Sequence, residues 1–422
     1  MLFSSSNPSA PVTHADKTAA VNAILSGFPN LHRLLIIPPD ITRANSGAGE
    51  LTRLIVKRVL ESLPAAHIDI LPALGTHFPM SAAERREMFA DLPDSMFIVH
   101  NWRSNLAHLG DVPAAFVSNV SNAKLNFSIP VEINSLILSG SYDLIISIGQ
   151  VVPHEVAGMA NGNKNILVGA GGKDTINKTH FLGAVCNMET ILGRADNPVR
   201  SVFNYAEDHF LSDLPIVYLQ TVIAADKTMR GLFAGTGQAP FRAAARLSQQ
   251  LNITKLDRPL NKVVVWLDPR EFKSTWLGNK AVYRTRMALA DGAELIILAP
   301  GVVTFGEDPE IDRLIRTHGY RGTPATLTAL KKNPDLAASL SAAAHLIHGS
   351  SEGRFAITYA PGRLTRAEIE SVNFSYAVIN TLLKTYNPEA LSDGYNDVAG
   401  EEIYFISNPA LGLWALTSQF EQ

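Results

Sequence analysis

Short apolar runs alternate with polar, glycine-containing loops in the first part of the chain. The runs are five to seven residues long and lie at Leu34–Pro38, His67–Pro72 and Tyr142–Ile148. Runs of this length predict buried strands, as in a parallel sheet. Between the first two, apolar residues recur three and four positions apart over Ala48–Leu63, which predicts a helix. The order strand, loop, helix and strand is the βαβ unit of an open α/β domain.

A second α/β pattern begins near Lys262. Strands are predicted at Lys262–Leu267 and Ala293–Ala299, with a helix at Lys280–Ala290 between them. Further helices are predicted at Asp308–Tyr320, Pro324–Leu330 and Ala337–His348. The mostly helical stretch Phe241–Leu260 is the expected crossing between domains.

The predicted fold class is therefore α/β, with two α/β domains, mainly parallel sheets and an active site in the cleft between them. We expect residues 1–250 to form an N-terminal domain with the cofactor and acid/base loops. Residues 251–422 are expected to form a C-terminal domain that closes over the substrate, with its last residues packing back on the first domain.

Composition narrows the class of protein. The 422 residues are 46% hydrophobic and 18% charged, which is typical of a globular protein with room for two domains. The net charge of -3 does not favour a nucleic-acid partner. Cys186 is the one cysteine, so no intrachain disulfide or multi-cysteine metal site is expected. Neither a signal peptide at Met1–Val21 nor a membrane-spanning apolar run is evident, so we expect a cytoplasmic protein without membrane contact.

The loop after the first predicted strand reads Asp40-Ile41-Thr42-Arg43. A guanidinium at the carboxyl end of a strand can bind a carboxylate or phosphate through two hydrogen bonds. The alternative is a helix cap by Asp40 or Thr42, with Arg43 as a surface charge. Because parallel strands end at one edge of a sheet, this loop should meet the loops that follow the next two strands.

His77 follows the second predicted strand in Gly75-Thr76-His77. A histidine there can be a general base, since its pKa lies near neutrality. The alternative is a loop histidine that caps the next helix. Ser81 and Glu84 already have the spacing of a capping box, so His77 is not needed for that role.

The longest polar segment runs from His154 to His180, with Lys164 between them. Its glycines and asparagines allow close approach of the backbone to a ligand, but the order matches neither a Walker motif nor GxGxxG. His154-Glu155 begins like the zinc motif HExxH, but Gly158 stands where the second histidine should be, so a zinc protease is excluded.

The combined motifs resemble the lactate racemase family. The match comprises Asp40-Ile41-Thr42-Arg43, Gly75-Thr76-His77, Pro153-His154-x-x-Ala157-Gly158, Gly162-Asn163-Lys164 and His180. Their order and spacing agree between Leu34 and Cys186, and the part from His154 to His180 is the most specific.

The resemblance implies nickel and a nickel-pincer nucleotide, a pyridinium-3,5-bisthiocarboxylic acid mononucleotide. Lys164 would tether it as a thioamide, and His180 would be the protein's nickel ligand. Asp40, Ile41, Thr42 and Arg43 would hold the cofactor phosphate, with Arg43 also near substrate. Cofactor-biosynthesis enzymes would be partners that load the protein.

The implied reaction is racemisation or epimerisation of a small-molecule 2-hydroxy acid at C2, by hydride transfer to the cofactor and back through a 2-keto acid. His77 and His154 would be the two acid/base residues, one for each hand of the substrate. Where lactate racemases carry a substrate-binding Gln and Lys, the best alignment places Lys280 and Tyr283, so a substrate other than lactate is plausible.

Two alternatives stay open. A non-catalytic holder of the nickel-pincer cofactor would need Lys164 and His180 but not both His77 and His154. A metal-dependent hydrolase would use His77, His154 and His180 directly on a divalent ion, and it leaves Lys164 unexplained.

Overall fold

The chain divides into two compact units in a computed structural model that describes residues 1–410 and 412–420. Unit 1 comprises Met1–Leu182 and Thr190–Asn252. Unit 2 comprises Gly183–Glu189 and, from Ile253 on, the rest of the described chain. Each unit is built on a six-stranded, mainly parallel sheet, which confirms the predicted α/β class.

Unit 1 contains a central sheet, two small two-stranded sheets and helices on both faces of the central sheet. The strands are β1 (Phe3–Ser6), β2 (Arg33–Ile37), β3 (His67–Ile70), β4 (Leu106–Val112), β5 (Ile129–Asn134), β6 (Leu144–Gln150), β7 (Pro153–His154), β8 (Gly158–Met159), β9 (Ile216–Ile223) and β10 (Met229–Gly235). The helices are α1 (His14–Leu25), α2 (Ala48–Ser62), α3 (Ala82–Phe89), α4 (Ala114–Val120), α5 (Lys173–Val185), α6 (Pro198–Ala206) and α7 (Ala239–Asn252).

The central sheet of unit 1 has the order β1-β10-β9-β6-β2-β3. Strands β2, β3, β6 and β9 run parallel, while β10 and β1 are antiparallel additions at one edge. Three of these strands, β2, β3 and β6, are the ones predicted from the apolar runs, and the prediction is confirmed. The chain passes from β2 outward to β3 and then returns to β6 on the other side of β2. This reversal makes the carboxyl ends of β2 and β6 a topological switch point, the place at which α/β proteins bind ligands.

Two apolar layers hold the sheet of unit 1. On one face, α1 and α2 contribute Val21, Ile24, Leu51 and Ile55 to a cluster with the inward residues of the strands. On the other face, α7 packs against β9 and β10 around Phe241 and neighbouring residues. Each such leucine, isoleucine or valine contributes about 1.5–3 kcal/mol when fully buried. The strand ends, and with them the loops that follow, are therefore fixed by a rigid scaffold.

Unit 2 repeats the same architecture with a different strand order, β15-β14-β13-β12-β17-β16. Its strands are β11 (Thr254–Leu256), β12 (Leu260–Trp266), β13 (Leu289–Ala299), β14 (Ala356–Pro361), β15 (Ser375–Tyr376), β16 (Gly394–Val398), β17 (Glu401–Ile406) and β18 (Trp414–Leu416). Its helices are α8 (Thr275–Gly278), α9 (Lys280–Thr285), α10 (Pro309–His318), α11 (Thr323–Lys332), α12 (Pro334–Ala338), α13 (Leu340–His348), α14 (Arg366–Ser371) and α15 (Ile379–Thr385).

Two helix predictions in unit 2 need correction. The helix expected over Lys280–Ala290 ends at Thr285, because the chain from Leu289 joins β13 and pairs with β12. The helix expected over Ala337–His348 is interrupted at Ser339, whose φ of -123° and ψ of 68° are not helical. In both places long-range or local backbone geometry overrides the apolar spacing.

Single turns of 3₁₀ or π helix complete the secondary structure, at Ile41–Ser46, Asp94–Met96, Ser135–Leu138, Asn165–Gly169, Met188–Thr190, Glu207–Leu211 and Thr417–Gln419. Near the C-terminus, β18 pairs in parallel with β11, so this segment is part of unit 2. None of the helices within residues 1–410 and 412–420 is both long and apolar enough to cross a membrane.

Candidate active site

The loops that follow β2, β3 and β6 are joined to one another by hydrogen bonds. The amide of Gly75, after β3, donates to the carbonyl of Gly169 at 2.8 Å. Asn165 donates through Nδ2 to the carbonyl of Ile37 at the end of β2 and to Oγ of Ser147 in β6, both at 3.0 Å. A Cβ on Gly169 would lie only 2.7 Å from that of Ala73, so the loops approach as closely as a glycine allows. The predicted meeting of the three loops is confirmed.

Asp40 links the loop after β2 to the loop after β3. Its carboxylate accepts hydrogen bonds from the amide of Thr42 at 3.2 Å and from Oγ1 of Thr42 at 2.5 Å, and its other oxygen lies 2.7 Å from Nδ1 of His77. Asp40 is 4% exposed. Burial alone would raise the pKa of this carboxyl, but the hydrogen bond and charge of His77 and the two bonds from Thr42 outweigh it and lower the pKa. Asp40 is therefore ionised at neutral pH.

His77 has the geometry of a supported base. Because an ionised carboxylate can only accept, Nδ1 of His77 must carry the hydrogen, and Nε2 is left with its lone pair. The imidazole is 56% exposed, so Nε2 is accessible. The loop ends at Ser81, where the predicted capping box with Glu84 is confirmed: each residue's side chain accepts from the other's amide, at 3.3 and 2.7 Å.

His154 lies in a small hairpin made by β7 and β8. Its Nδ1 accepts hydrogen bonds from the amides of Val156 at 3.1 Å and Ala157 at 3.4 Å. Burial, aided by nearby positive charges, holds the pKa of this imidazole well below its usual value although Glu155 acts in the opposite direction. Gly158 closes the hairpin with a φ of +74°, and a Cβ there would lie 2.1 Å from the carbonyl of Arg194. The position where HExxH would need a histidine thus accepts only glycine.

Lys164 immediately precedes the π-helical turn Asn165–Gly169. Burial is the main cause that lowers the pKa of its amine to about 8, and the positive charge of Arg43 is the next. An amine with such a pKa is neutral in an appreciable fraction of molecules near pH 7.5. The neutral form is the nucleophile, so Lys164 is suited to covalent attachment of an electrophile.

His180 lies on α5 and has its Nδ1 2.7 Å from the carbonyl of Ile176, one helical turn earlier. A carbonyl can only accept, so Nδ1 carries the hydrogen and Nε2 has the lone pair. Burial first, and then the charge of Lys164, lower the pKa of this imidazole to about 4. A neutral imidazole whose second nitrogen is fixed by a backbone carbonyl is the form that binds a metal ion.

The electrostatic couplings bring the sequence-predicted residues together. The pKa of His154 responds to the charges of Lys164, Arg43 and His180, and that of Lys164 responds to Arg43. Asp40 and His77 join this group through the contacts between loops. Ile41 begins the 3₁₀ turn Ile41–Ser46 for which Asp40 is the cap. The loop after β2 therefore fits both interpretations of its sequence: Asp40 caps a helical turn, and the charge of Arg43 lies near the site.

Arg200 is a residue near the site that sequence reasoning missed. It is 2% exposed, and its guanidinium donates to the carbonyls of Met159 at 2.7 Å and Asn161 at 3.1 Å and to Oδ1 of Asn163 at 2.5 Å. Burial lowers its pKa to about 9, while Glu207 acts against that change. Arg200 therefore holds the segment that leads to Lys164 through two backbone carbonyls and one side chain.

Asn163 continues this network away from Arg200. Its Nδ2 donates to Oδ1 of Asn204 at 2.9 Å and to Oε2 of Glu207 at 3.0 Å, and the hydroxyl of Tyr218 donates to the other oxygen of Glu207 at 2.7 Å. These partners lie 37 to 44 residues from Asn163 on α6 and its π-helical extension. No local motif in the sequence marks such contacts.

The two substrate contacts predicted in the second half lie in unit 2. Lys280 begins α9, with its ammonium 5.7 Å from the ring centroid of Phe272. Tyr283, on the same helix, is buried and its ring lies 6.5 Å from that of His348. Their contact with a substrate stays a prediction.

The hydrolase alternative requires several side chains on one ion. Across residues 1–410 and 412–420, no group of three or more His, Cys, Asp or Glu side chains is placed to hold a metal. His77, His154 and His180 are therefore not arranged as a joint metal site. A centre that takes a single imidazole from the protein is compatible with the geometry of His180.

Comparison with known proteins identifies relatives of the chain. Residues 16–191 match the family described as the lactate racemase N-terminal domain. A lactate racemase from Thermoanaerobacterium thermosaccharolyticum is 27% identical over 207 residues, which cover 48% of this chain and 44% of that protein. The sequence match thus spans less than half the length of this relative.

Solved structures share the fold over nearly the whole chain. A Thermotoga maritima protein aligns with a TM-score of 0.80 and 23% identity, covering 96% of this chain and 99% of the other. The lactate racemase apoprotein from Thermoanaerobacterium thermosaccharolyticum aligns with a TM-score of 0.73 and 17% identity, covering 94% and 92%. Residues 16–191 thus match the lactate racemase N-terminal domain, and the chain shares the fold of the lactate racemase apoprotein over most of its length.

Proposed function

We propose that the protein is a racemase or epimerase of a 2-hydroxy acid at C2 that uses a covalently attached nickel-pincer nucleotide. One observation carries the proposal: a nucleophilic amine at Lys164 and two imidazoles with an available Nε2, His77 and His180, lie on the joined segments that follow β3 and β6. The sequence relatives named lactate racemases support the same reaction class.

The residues present fit the cofactor that the resemblance implies. Lys164 would hold the nucleotide as a thioamide, because its amine has a pKa of about 8. His180 would bind nickel through Nε2, and the carbonyl of Ile176 would fix the ring. When bound, this group supplies the acceptor for the C2 hydrogen with its electron pair.

The loop after β2 has a divided role in this proposal. Thr42, Arg43 and the backbone from Ile41 would hold the cofactor phosphate, and Arg43 would also attract the substrate carboxylate. Asp40 is an ionised carboxylate, which repels a phosphate, and its contacts are with Thr42 and His77. We therefore assign Asp40 to the orientation of His77 rather than to the phosphate.

His77 takes the hydroxyl proton of the substrate at Nε2 and returns it when the 2-keto acid is reduced. Asp40 stabilises the imidazolium that forms, because its carboxylate faces Nδ1 at 2.7 Å. His154 is the second histidine that we propose to contact the substrate hydroxyl. Lys280 and Tyr283 remain the proposed substrate contacts of unit 2.

The test begins with covalent loading. The full chain is coexpressed with the cofactor-biosynthesis enzymes and its intact mass is measured; an adduct is expected on the wild type and not on Lys164→Ala. Lys173→Ala is the matched control, because Lys173 is an exposed lysine of the same segment and should load normally. The loaded protein is then incubated with single enantiomers of a panel of 2-hydroxy acids, and chiral chromatography measures inversion.

The outcomes separate the proposal from the cofactor holder. An adduct without inversion or 2-keto acid formation from any member of the panel would favour a holder and overturn the enzyme. Absence of an adduct under conditions that load a lactate racemase would overturn both the proposed enzyme and the cofactor holder. The Asp40–His77 pair favours catalysis, since a holder has no need of a supported base.

A further inference from the structure

The three histidines of the site differ in which ring nitrogen is available. For His77 and His180, Nδ1 lies 2.7 Å from a carboxylate or a carbonyl, so Nδ1 carries the hydrogen and Nε2 has the lone pair. For His154 the arrangement is reversed: Nδ1 accepts from the amides of Val156 and Ala157. A backbone amide can only donate, so Nδ1 of His154 has the lone pair and Nε2 carries the hydrogen.

This tautomer decides what His154 can do. A neutral imidazole with its hydrogen on Nε2 is a hydrogen-bond donor there and cannot accept a proton at that atom. To become a base at Nε2, the ring would have to move its hydrogen to Nδ1. Both amides would then lose their acceptor and face an N–H in a position that is 13% exposed to water.

The neighbouring carboxylate of Glu155 does not stabilise the tautomer of His154 that has its hydrogen on Nδ1. Oε2 of Glu155 lies 3.9 Å from Nδ1, which is beyond hydrogen-bond distance. The positive charges of Lys164 and Arg43 also oppose an imidazolium at this place. His77 differs in all these respects, because an ionised carboxylate contacts its Nδ1 and its ring is 56% exposed.

We infer that the two histidines are not equivalent bases: His77 carries the proton for both hands of the substrate, and His154 donates a hydrogen bond from Nε2 to the substrate oxygen. This inference rests on the proposed function. The hydroxyl proton passes to Nε2 of His77 and the O–H electron pair becomes the second bond of the carbonyl. The C2 hydrogen leaves with its electron pair to the acceptor that the proposed cofactor supplies. In the reverse steps the proton returns from His77 to the oxygen, and the hydrogen with its electron pair returns to the opposite face of C2.

The role of His154 is then to stabilise negative charge that develops on that oxygen, as a fixed donor does in an oxyanion hole. The oxygen of the substrate stays next to one base, His77, throughout the reaction. The planar 2-keto acid must therefore exchange the positions of its carboxylate and its C3 group before hydride returns.

The first test is ¹⁵N NMR of the full-length protein without cofactor, labelled at histidine. His154 is assigned from His154→Gln and His77 from His77→Gln, and His180 serves as the internal reference for a ring with hydrogen on Nδ1. We expect an unprotonated Nδ1 and a protonated Nε2 for His154 at pH 7.5, and the reverse for His77. A protonated Nδ1 on His154 would overturn the inference whether or not the protein is a racemase.

The second test uses the loaded protein and both enantiomers of the 2-hydroxy acid that the wild type inverts. Formation of 2-keto acid in a single turnover is measured after acid quench. His77→Gln should lose oxidation of both hands by about 100-fold or more, the usual contribution of a general base. His154→Gln keeps an N–H donor near the position of Nε2, so both hands should slow by about 10-fold, against about 100-fold for His154→Ala.

Two equivalent bases would give another pattern, in which each histidine variant loses oxidation of one hand only; that result would overturn the inference and keep the proposed function. A wild type that loads but oxidises no 2-hydroxy acid would instead end the proposed function. The NMR result would then still report the tautomer of His154.

Discussion

The two sides of the candidate site control charge by different means. On the side of β2 and β3, His77 is half exposed and its Nδ1 contacts the ionised carboxylate of Asp40. On the side of β6, His154, Lys164 and His180 have lowered pKa values whose first cause is burial. The first side therefore offers an accessible ring nitrogen supported by a carboxylate, while burial on the second side favours the neutral forms of its titratable groups.

This difference between the two sides shows how one site can combine proton transfer with metal binding or covalent attachment. A base that cycles through its charged form needs a counter-charge and water. An amine nucleophile and an imidazole ligand need the opposite, because only their neutral forms react or bind. Separating the two sets of residues on different loops meets both needs. Each prediction below alters one side and asks whether the other is unaffected.

The largest expected effect is that of Asp40→Asn on turnover. The amide cannot stabilise the imidazolium of His77, and it can donate to Nδ1 and so place the hydrogen on Nε2, which removes the base. We expect turnover of the loaded protein to fall by about 100- to 10,000-fold. The pH profile of turnover should change, while the KM of the substrate changes little.

A structural role of Asp40 would give a different result, namely a lower melting temperature with a normal pH profile. Asp69→Asn is the control, since Asp69 is a buried carboxylate paired with His67 at 2.9 Å on the same sheet but outside the site. It should leave the pH profile unchanged. If Asp40→Asn also prevents loading at Lys164, the two sides of the site do not act independently.

The next effect is on stability and belongs to the buried side. Arg200→Met leaves the carbonyls of Met159 and Asn161 and the side chain of Asn163 without their donor. Breaking such a buried charged network lowers the free energy of unfolding by about 3 kcal/mol or more. Urea unfolding monitored by tryptophan fluorescence measures the change.

Arg242→Met provides the contrast, because Arg242 pairs with Asp196 on the surface, with both side chains largely exposed. Its loss should change the free energy of unfolding by less than about 1 kcal/mol. Equal effects of the two variants would mean that the network around Arg200 does not hold the segment before Lys164.

The sequence predicts one part of this comparison better than the other. Five site residues lie at the ends of strands or in a glycine-rich segment, where local pattern and sheet topology suffice to predict them. They are Asp40, His77, His154, Lys164 and His180. The helix predicted over Lys280–Ala290 was too long, because its last residues belong to β13, which pairs with β12. The choice of nitrogen on each histidine depends on amides and carbonyls whose orientation appears only in three dimensions.

Arg200 shows the same limit for charge. Arg200 lies in the first turn of α6, whose cap is Asn197. Its burial follows from acceptors 37 to 41 residues earlier in the chain. Hydrophobic periodicity contains no information on such contacts.

A smaller effect is expected where the loop of His77 is anchored. Ser81→Ala removes the capping box that begins α3 directly after this loop, which lowers the free energy of unfolding by about 1 kcal/mol. Hydrogen exchange of the amides in the loop should accelerate. Thr365→Ala removes the same motif from α14 in unit 2 and is the matched control, with a similar loss of stability and unchanged exchange near His77.

The smallest effect separates burial from charge on the other side. Arg43 lowers the pKa of Lys164 less than burial does, so Arg43→Gln should raise that pKa from about 8 and leave it below the usual lysine value. A higher pKa means less neutral amine at pH 7.5. Acetylation of Lys164, measured by competitive labelling of the cofactor-free protein, should fall on the order of threefold, which corresponds to about 0.7 kcal/mol. Lys173 in the same digest gives the reference rate. A fall to the reactivity of Lys173 would make Arg43 the principal cause, and the two sides of the site would then both be governed by charge.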